Sequence, residues 1–211
     1  MDVALCTVRE QALHVLLAKL AAGPFAGRWA LPGGRVRAEE TLDAAAQRAL
    51  RAHTGLGDVY LEQLYTFGHP ARDPQGRVVS VAYVGLVPAG TLEVPEPADV
   101  RYRALAWRRV DRLPTLAYDH AAVVATATAR LQAKLQYTNL VYTLLPPAFT
   151  LGELQALYEA ILGRPLDRRN FRKKILGRGL LRALGRQRRG AHRPAALYAF
   201  RSRRPMAVAV L

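Results

Sequence analysis

The stretch GRVRAEETLDAAAQRALRAHTGL, residues 34–56, has the spacing of a phosphate-chemistry motif. It begins at Gly34, continues into a helix-forming run over residues 41–53, and closes at Gly55. Sites of this kind use carboxylates to hold a divalent cation next to a phosphate. The run over 41–53 contains a single carboxylate, Asp43. The spacing of the motif is therefore present, but most of the carboxylates that would bind the cation are absent.

This stretch resembles the Nudix box, the helix-loop signature of hydrolases that act on nucleoside diphosphates linked to another group. The box consists of Gly, five residues, Glu, seven residues, Arg-Glu, an apolar residue, any residue, Glu-Glu, any residue, Gly and an apolar residue. The matching positions in this chain are Gly34, Glu40, Arg48, Leu50, Gly55 and Leu56. The three glutamates that follow the arginine are replaced by Ala49, Ala52 and His53.

The replaced positions lie three and four residues apart, so they share one face of the helix. In an active Nudix box that face gathers carboxylate oxygens around Mg²⁺, which prefers oxygen ligands in octahedral geometry. Alanine provides no ligand, and imidazole is a poor ligand for a hard cation. The sequence therefore predicts no catalytic residue, no metal site, no cofactor and no enzymatic role. Glu39 and Glu40 can hold at most a weak site, which leaves residual hydrolysis as an alternative.

A pocket that has lost its metal can still bind a diphosphate, because binding needs cations and backbone N–H groups. The flanking segments GRWALPGG and YTFGHPARDPQGRVVSVAY resemble the ADP-ribose branch of the Nudix superfamily. Arginine pairs with phosphate oxygens in a bidentate manner, aromatic rings pack on adenine, and carboxylates accept hydrogen bonds from ribose hydroxyls. The predicted effector-binding residues are Arg35, Glu40, Phe67, Arg72, Asp73, Arg77, Tyr83, Trp107, Asp119 and His120. Asp119 and His120 are equally suited to capping the helix that follows them.

The elements around the box predict a mixed α/β domain. Apolar or alternating runs over residues 3–8, 12–18, 59–67, 78–87 and 103–110 predict strands. Ala- and Leu-rich runs without Gly or Pro over residues 41–53 and 119–136 predict helices. The domain is expected to be a Nudix-like α/β/α sandwich with a mixed sheet over residues 1–133.

Charge separates this domain from the rest of the chain. Residues 133–211 contain 16 Lys and Arg against 3 Asp and Glu, whereas residues 1–132 contain 15 against 13. A nearly neutral domain is thus followed by a strongly basic one, which indicates a polyanionic partner for the second part. The alternative is a solvated basic surface.

The second part, residues 134–211, has the element pattern of a winged helix-turn-helix. A short helix is predicted over residues 137–146, ended by Pro146-Pro147, and a second begins with a capping box at Thr150 and Glu153. Asp167 caps a third, basic helix, and residues 180–184 and 195–200 form a hairpin around a basic loop. The predicted fold class is α+β: a Nudix-like domain followed by this winged helix.

The third helix is the predicted recognition helix, because its arginines and asparagine suit major-groove base edges and its lysines suit phosphates. Arginines of the hairpin loop are expected to follow the DNA backbone, and the start of the first helix to donate to a phosphate. The predicted DNA-binding residues are Thr138, Asn139, Arg168, Arg169, Asn170, Arg172, Lys173, Lys174, Arg178, Arg186, Arg188 and Arg189. RNA or a protein surface is the alternative target.

From about Ala4 to Phe200 the chain resembles the Nudix-related transcriptional regulators of NAD metabolism, the NrtR family. The resemblance includes LAYDHAAVV and YTNLVYTLLPPAFTLGELQALYEAILGRPLDRRNFRKKIL. It implies a bacterial repressor that senses ADP-ribose or a related nucleotide and binds a palindromic double-stranded operator as a homodimer. Effector binding would release the DNA and derepress genes for NAD synthesis or salvage. Some relatives control sugar catabolism or keep hydrolase activity, so an ADP-ribose hydrolase with a nucleic-acid-tethering domain is the alternative.

Composition places this regulator in the cytoplasm. Cys6 is the single cysteine, so no intramolecular disulfide can form, and the N-terminal MDVALCTVRE lacks the features of a signal peptide. No apolar stretch approaches the ~18 residues that a membrane span requires. We therefore expect no membrane association and, when DNA is bound, a place on the nucleoid.

Overall fold

The structure is a computed structural model that describes residues 1–55, 59–91, 96–97, 99–188 and 194–207, with residues 53, 54 and 91 described by their backbone alone. The chain divides into two compact units. One unit comprises Met1–Thr7 and Leu13–Ala129, and the other comprises Val8–Ala12 and Arg130–Leu211.

The N-terminal elements form a six-stranded sheet and two helices. The strands are β1 (Asp2–Arg9), β2 (Ala12–Leu20), β3 (Trp29–Ala30), β4 (Tyr60–Phe67), β5 (Ser80–Leu86) and β6 (Tyr102–Arg109), and the helices are α1 (Leu42–Thr54) and α2 (His120–Tyr137). The strands follow the order β3-β2-β1-β5-β4, and β6 also pairs with β2. Because β1 and β5 run parallel while β4 lies antiparallel to β5, the sheet is mixed, which confirms the predicted fold class.

The tight turn between β1 and β2 is built from Glu10 and Gln11, whose φ values are 48° and 58°. Two consecutive positive φ angles give a turn with the right-handed twist that an antiparallel hairpin needs. The middle of the sheet is equally constrained at Gly85, where a Cβ would lie 2.9 Å from Leu5 Cδ1 and 3.2 Å from the Tyr60 carbonyl oxygen. A side chain at residue 85 would therefore displace the Leu5 and Leu61 side chains that lie over this glycine.

Helix α1 packs its apolar face on the sheet. The side chain of Thr41 accepts a hydrogen bond from Ala44 N at 3.2 Å, and Gly55 ends the helix in the left-handed conformation with φ 70°. Ala49 and Leu50 join a buried cluster with residues of β1, β2 and β6. The box helix is therefore held against the strands by burial of its apolar side chains.

The C-terminal elements form a small three-stranded sheet and two helices. The strands are β7 (Phe149–Thr150), β8 (Leu181–Arg188) and β9 (Ala195–Phe200), in the order β7-β9-β8, and the helices are α3 (Leu151–Leu162) and α4 (Arg168–Gly177). The capping box predicted at Thr150 and Glu153 is confirmed, and Gly163 ends α3 with φ 69°. Phe171 and Ile175 of α4 are buried, so the helix is anchored by one apolar side.

The prediction of a helix over residues 137–146 is wrong in both its length and its type. Helix α2 continues through Tyr137, and the next helical segment is a single 3₁₀ turn, Leu140–Thr143. At this turn the side chain of Asn139 is bonded to the C-terminal segment: its Oδ1 accepts from Met206 N at 2.8 Å and its Nδ2 donates to the Arg204 carbonyl oxygen at 3.0 Å. These long-range bonds hold the chain between α2 and α3 in a tight turn.

Among the described residues, no helix combines the length and the hydropathy that a bilayer span requires.

Candidate effector cleft and DNA-binding surface

A cleft of about 620 Å³ opens at one edge of the N-terminal sheet. Its walls come from the start of β1, the ends of β2 and β3, the loop over residues 33–36, the loop over residues 72–80, the start of β6 and the start of α2. Segments far apart in sequence thus meet around one concave space. We call this space the effector cleft.

The floor of the effector cleft is a buried network of charged and polar side chains. Arg72 donates from Nη2 to Asp119 Oδ1 at 2.7 Å and to Asp2 Oδ2 at 3.1 Å, and from Nε to Asp119 Oδ2 at 3.0 Å. Ser80 Oγ donates to Asp2 Oδ2 at 2.6 Å. The Arg72 side chain is only 4% exposed, so its charge is compensated by protein carboxylates rather than by water.

Electrostatics keep this network ionised. Burial alone would raise the pKa of Asp2, but hydrogen bonds from His120 and Ser80 hold it well below its usual range. Burial opposes the charge of Arg72, and hydrogen bonds to Asp119 together with the charge of Asp2 raise its pKa above the usual value. The floor therefore carries fixed charges at neutral pH.

His120 joins the network to the wall of the cleft. Its Nδ1 accepts a hydrogen bond from Leu31 N at 2.8 Å, so the ring proton lies on Nε2, which faces Asp2 Oδ1 at 3.4 Å. The backbone at Gly33 lies so close to Met1 that a Cβ at residue 33 would be 2.4 Å from the Met1 carbonyl oxygen. The first residue of α2 is thus bonded directly to the loop that lines the cleft.

Two arginines bring positive charge to the mouth of the cleft. Arg35 is exposed on the loop that follows Gly34. Arg101 donates from Nη2 to the Gly33 carbonyl oxygen at 2.9 Å, forms a pair with Asp99, and lies 5.3 Å from the ring centroid of Tyr102. A diphosphate entering the cleft would meet both guanidinium groups.

Four of the ten predicted effector-binding residues line the cleft. They are Arg35, Arg72, Asp73 and His120. Asp119 does not line the cleft, but its carboxylate accepts a hydrogen bond from Arg72, which does. Sequence reasoning missed Arg101, Tyr102 and Tyr118, which also line it. A signal for Tyr118 existed, because it lies within the LAYDH stretch that carries part of the family resemblance.

The aromatic residues predicted as adenine platforms do not line the cleft. Tyr83 is 2% exposed, and its hydroxyl donates to Asp43 Oδ1 at 2.7 Å, which together with burial raises its pKa to about 12. Trp107 packs against the core cluster of α1 and the sheet. Phe67 stacks edge-on with Tyr65 on β4 at a centroid distance of 5.5 Å. The structure therefore does not bring these three rings to the cleft lining, and Tyr83 and Trp107 pack in or against the core.

Two polar predictions are corrected for similar reasons. Glu40 accepts from Arg48 Nε at 2.8 Å and from Arg37 N at 2.8 Å, and Arg48 holds the pKa of Glu40 at about 2. Arg48 also donates to the Arg35 carbonyl oxygen at 3.0 Å. This part of the Nudix box therefore shapes the loop rather than offering a ribose acceptor. Arg77 donates to the Gly68 carbonyl oxygen at 2.6 Å and lies outside the cleft lining.

The box helix does not fit a Mg²⁺ ion. Ala49 is 3% exposed and packs in the core, and Ala52 presents only a methyl group. Among the described residues no group of three or more His, Cys, Asp and Glu side chains is arranged to hold a metal. Hard cations need several oxygen ligands at one point, and these positions supply none. The position of Leu56, which matches the box in sequence, lies outside the described residues.

Helix α4 presents a basic surface. Asp167 caps it by accepting from Asn170 N at 2.8 Å. Its predicted DNA-binding residues are all at least partly exposed: Arg168, Arg169, Asn170, Lys173 and Lys174 are exposed, and Arg172 is half-buried. Arg168 and Arg172 also line a groove of about 390 Å³ beside the start of α3. The arrangement suits a helix lying along a polyanion.

The remaining DNA-binding predictions have mixed outcomes. Arg178 follows α4 and Arg186 lies on β8, and both are exposed. Arg188 is exposed but pairs with Glu153 of the α3 capping box. Arg189 lies outside the described residues.

The two residues predicted to donate to a phosphate ahead of the first helix do not have free donors. Asn139 is 1% exposed and engages the C-terminal segment, and the Thr138 hydroxyl donates to the Lys134 carbonyl oxygen at 2.8 Å. The structure thus uses both side chains for bonds within the protein, and the segment that follows them is a single 3₁₀ turn rather than the predicted helix.

The fold and the two sites define a class: a Nudix domain with an open ligand cleft, joined to a winged helix-turn-helix with a basic recognition helix. Comparison with protein families agrees with this class. Residues 1–129 match the NUDIX domain family, and residues 141–200 match the NrtR DNA-binding winged helix domain.

Relatives combine the same two domains. The chain is 36% identical over 201 residues to the ADPR responsive transcriptional repressor NtrR of Acinetobacter baylyi, a match that covers 94% of this chain and 80% of that protein. It matches the crystal structure of Shewanella oneidensis NrtR complexed with a 27mer DNA at TM-score 0.82 and 34% identity, covering 95% and 92% of the two chains. This protein therefore belongs to the NrtR family of transcriptional regulators.

Two further matches concern the N-terminal domain. The NUDIX domain of Shewanella oneidensis NrtR complexed with ADP ribose matches at TM-score 0.55 and 32% identity, covering 62% of this chain and 85% of that one. An ADP-ribose pyrophosphatase from Methanocaldococcus jannaschii is 33% identical over 122 residues, covering 58% of this chain and 70% of that protein. The same domain thus resembles both a regulatory and an enzymatic relative.

Proposed function

We propose that this protein is a cytoplasmic repressor that binds operator DNA through its winged helix and leaves it when ADP-ribose or a related nucleotide occupies the effector cleft. The regulated genes would be those of NAD synthesis or salvage. The observation that carries the proposal is the coexistence, in one chain, of an arginine-bearing cleft, a box helix without metal ligands, and a basic winged helix.

Binding in the cleft would rely on charge and hydrogen bonding without a metal. Arg35 is placed to pair with a phosphate, since guanidinium groups match phosphate oxygens bidentately, and Arg101 adds positive charge while it stays bonded to Asp99 and the Gly33 carbonyl oxygen. Asp73 can accept hydrogen bonds from ribose hydroxyls at the same wall. A cleft of about 620 Å³ also falls within the usual size range of small-ligand sites.

Binding to DNA would use α4 in the major groove. Its exposed Arg168, Arg169 and Asn170 lie in the first turn, the part of a recognition helix that typically reaches base edges. Lys173 and Lys174 would pair with phosphates. A homodimer would place two such helices on half-sites separated by about one helical turn, or a multiple of it.

Helix α2 is the candidate route between the two sites. It begins at His120, which lines the cleft, and its residues from Arg130 onward belong to the second compact unit. Effector binding that shifts the start of this helix would change the affinity for DNA. Couplings of this kind are typically ~1–3 kcal/mol, or roughly 5- to 150-fold in affinity.

The alternative function is hydrolysis of ADP-ribose, with the basic domain as a nucleic-acid tether. The similarity to the pyrophosphatase favours it, and the composition of the box helix opposes it. The test is to incubate protein and ADP-ribose with Mg²⁺ and to follow AMP and ribose 5-phosphate by chromatography while calorimetry measures binding. Saturable binding without turnover supports the sensor. Turnover at rates of order 1 s⁻¹ or faster would support the enzyme.

A further inference from the structure

Among the described residues of the cleft wall, Tyr118 combines an aromatic side chain with a backbone in the left-handed region. Its φ is 54°, in the left-handed region that bulky side chains rarely adopt. Strain of this kind persists only where the surroundings enforce it. Such positions cluster at ligand-binding sites, so the conformation calls for a functional explanation.

The ring of Tyr118 is held in a defined orientation by two other rings. Its centroid lies 4.7 Å from that of Phe25 in an edge-on arrangement and 5.1 Å from that of His120. The side chain is half-buried and lines the effector cleft. The ring is therefore fixed by its neighbours at the wall of the cleft.

The hydroxyl of Tyr118 lies among the polar groups of the cleft. Burial raises the pKa of Tyr118, and the nearby carboxylates of Asp73 and Asp2 raise it further, against the opposing charges of Arg72 and Arg101. The phenol consequently stays neutral at physiological pH. A neutral, oriented ring beside cationic side chains suits a planar group attached to a diphosphate.

We propose that Tyr118 is the platform on which the base of the bound nucleotide stacks. The proposal rests on the proposed function, because it takes a nucleoside diphosphate such as ADP-ribose as the ligand of the cleft. It takes the place predicted for Tyr83, Phe67 and Trp107, which do not line the cleft. Since Tyr118 lies two residues before His120, the base would contact the chain directly at the start of α2.

The test is calorimetric titration of the full-length protein with ADP-ribose, using Tyr118→Phe, Tyr118→Ala and Tyr118→Gly. The phenylalanine variant keeps the ring and should bind within about twofold of wild type. The alanine and glycine variants should bind about 5- to 150-fold more weakly, the range for loss of one base–aromatic stack. Glycine relieves the strain at φ 54° but also loses the ring contacts with Phe25 and His120, so thermal melting of this variant serves to establish that it is folded.

Tyr65→Ala is the matched control, because Tyr65 is an exposed tyrosine on β4 that lies outside the cleft lining. Its ADP-ribose affinity should not change. The inference is overturned if the folded glycine variant binds ADP-ribose as wild type does, or if the phenylalanine variant loses as much affinity as the alanine variant. Wild-type protein that binds neither ADP-ribose nor the related nucleotides ADP and NAD in the same titration would instead refute the proposed function itself.

Discussion

Replacement of Arg72 by leucine tests the charged floor of the effector cleft. Arg72 neutralises Asp119 and Asp2, whose side chains are only 21% and 13% exposed. Leucine fills most of the aliphatic volume but leaves both carboxylates without their cation. The change therefore removes charge compensation with little change in packing.

The contacts of Arg72 set the free energy of unfolding that the leucine variant is expected to lose. Removing one partner from a buried ion pair typically costs ~3–5 kcal/mol. Asp2 keeps hydrogen bonds from Ser80 and His120, so we expect the lower end, about 3 kcal/mol. For a chain of 211 residues, each kcal/mol lowers the melting temperature by roughly 2–4 °C, which gives a drop of roughly 6–12 °C.

Thermal melting followed by circular dichroism, with urea titration alongside it, would measure this cost. Arg109→Leu is the matched control, because Arg109 pairs with Asp111 at the surface with side-chain exposures of 37% and 55%. Exposed pairs contribute ~0–1 kcal/mol, so that variant should melt close to wild type. An Arg72→Leu protein that loses less than about 1 kcal/mol would refute the assignment of this network as a buried, ionised floor.

Three further predictions concern the other sites. Alanine at Arg168, Arg169 and Arg172 should abolish DNA binding measured by anisotropy while ADP-ribose affinity stays at the wild-type value; unchanged DNA affinity would exclude α4 as the recognition helix. Ala49→Glu should lower the urea midpoint without producing hydrolysis, because it adds a carboxylate to a buried position; product formation would contradict this. The hydrogen bond from Arg48 holds the pKa of Glu40 at about 2 in the folded protein, below the usual value of 4.5. The contribution of this pair to the free energy of unfolding is therefore fully present above pH 4.5 and is lost as the pH falls toward 2. Urea titrations at pH 5 and pH 3 should show this loss, and Glu40→Gln should reduce it; an equal loss in both proteins would argue against the pair.

Local signals in the sequence predicted the regular elements well. The capping box at Thr150 and Glu153 and the left-handed Gly163 set the limits of α3 almost alone, and Asp167 does the same for the start of α4. The Nudix spacing likewise located α1 between its cap at Thr41 and Gly55. Each of these depends on contacts within a few residues, which is why spacing sufficed.

The cleft depends on contacts that spacing does not encode. Arg72 meets Asp119 and Asp2, which are 47 and 70 residues away. Asn139 is held by residues more than 60 positions later, which explains why a local helix signal failed there. Tyr83 is a residue type that suits stacking on a nucleotide base, and only its tertiary packing shows that it belongs to the core.

The central claim is that a nucleotide in the effector cleft controls DNA binding. Fluorescence anisotropy of a labelled promoter fragment, taken from upstream of genes for NAD synthesis, would test it most directly by titration first with protein and then with ADP-ribose. We expect tight, salt-sensitive binding that ADP-ribose weakens by roughly 5- to 150-fold. Tight binding that ADP-ribose leaves unchanged at saturating concentration would contradict it.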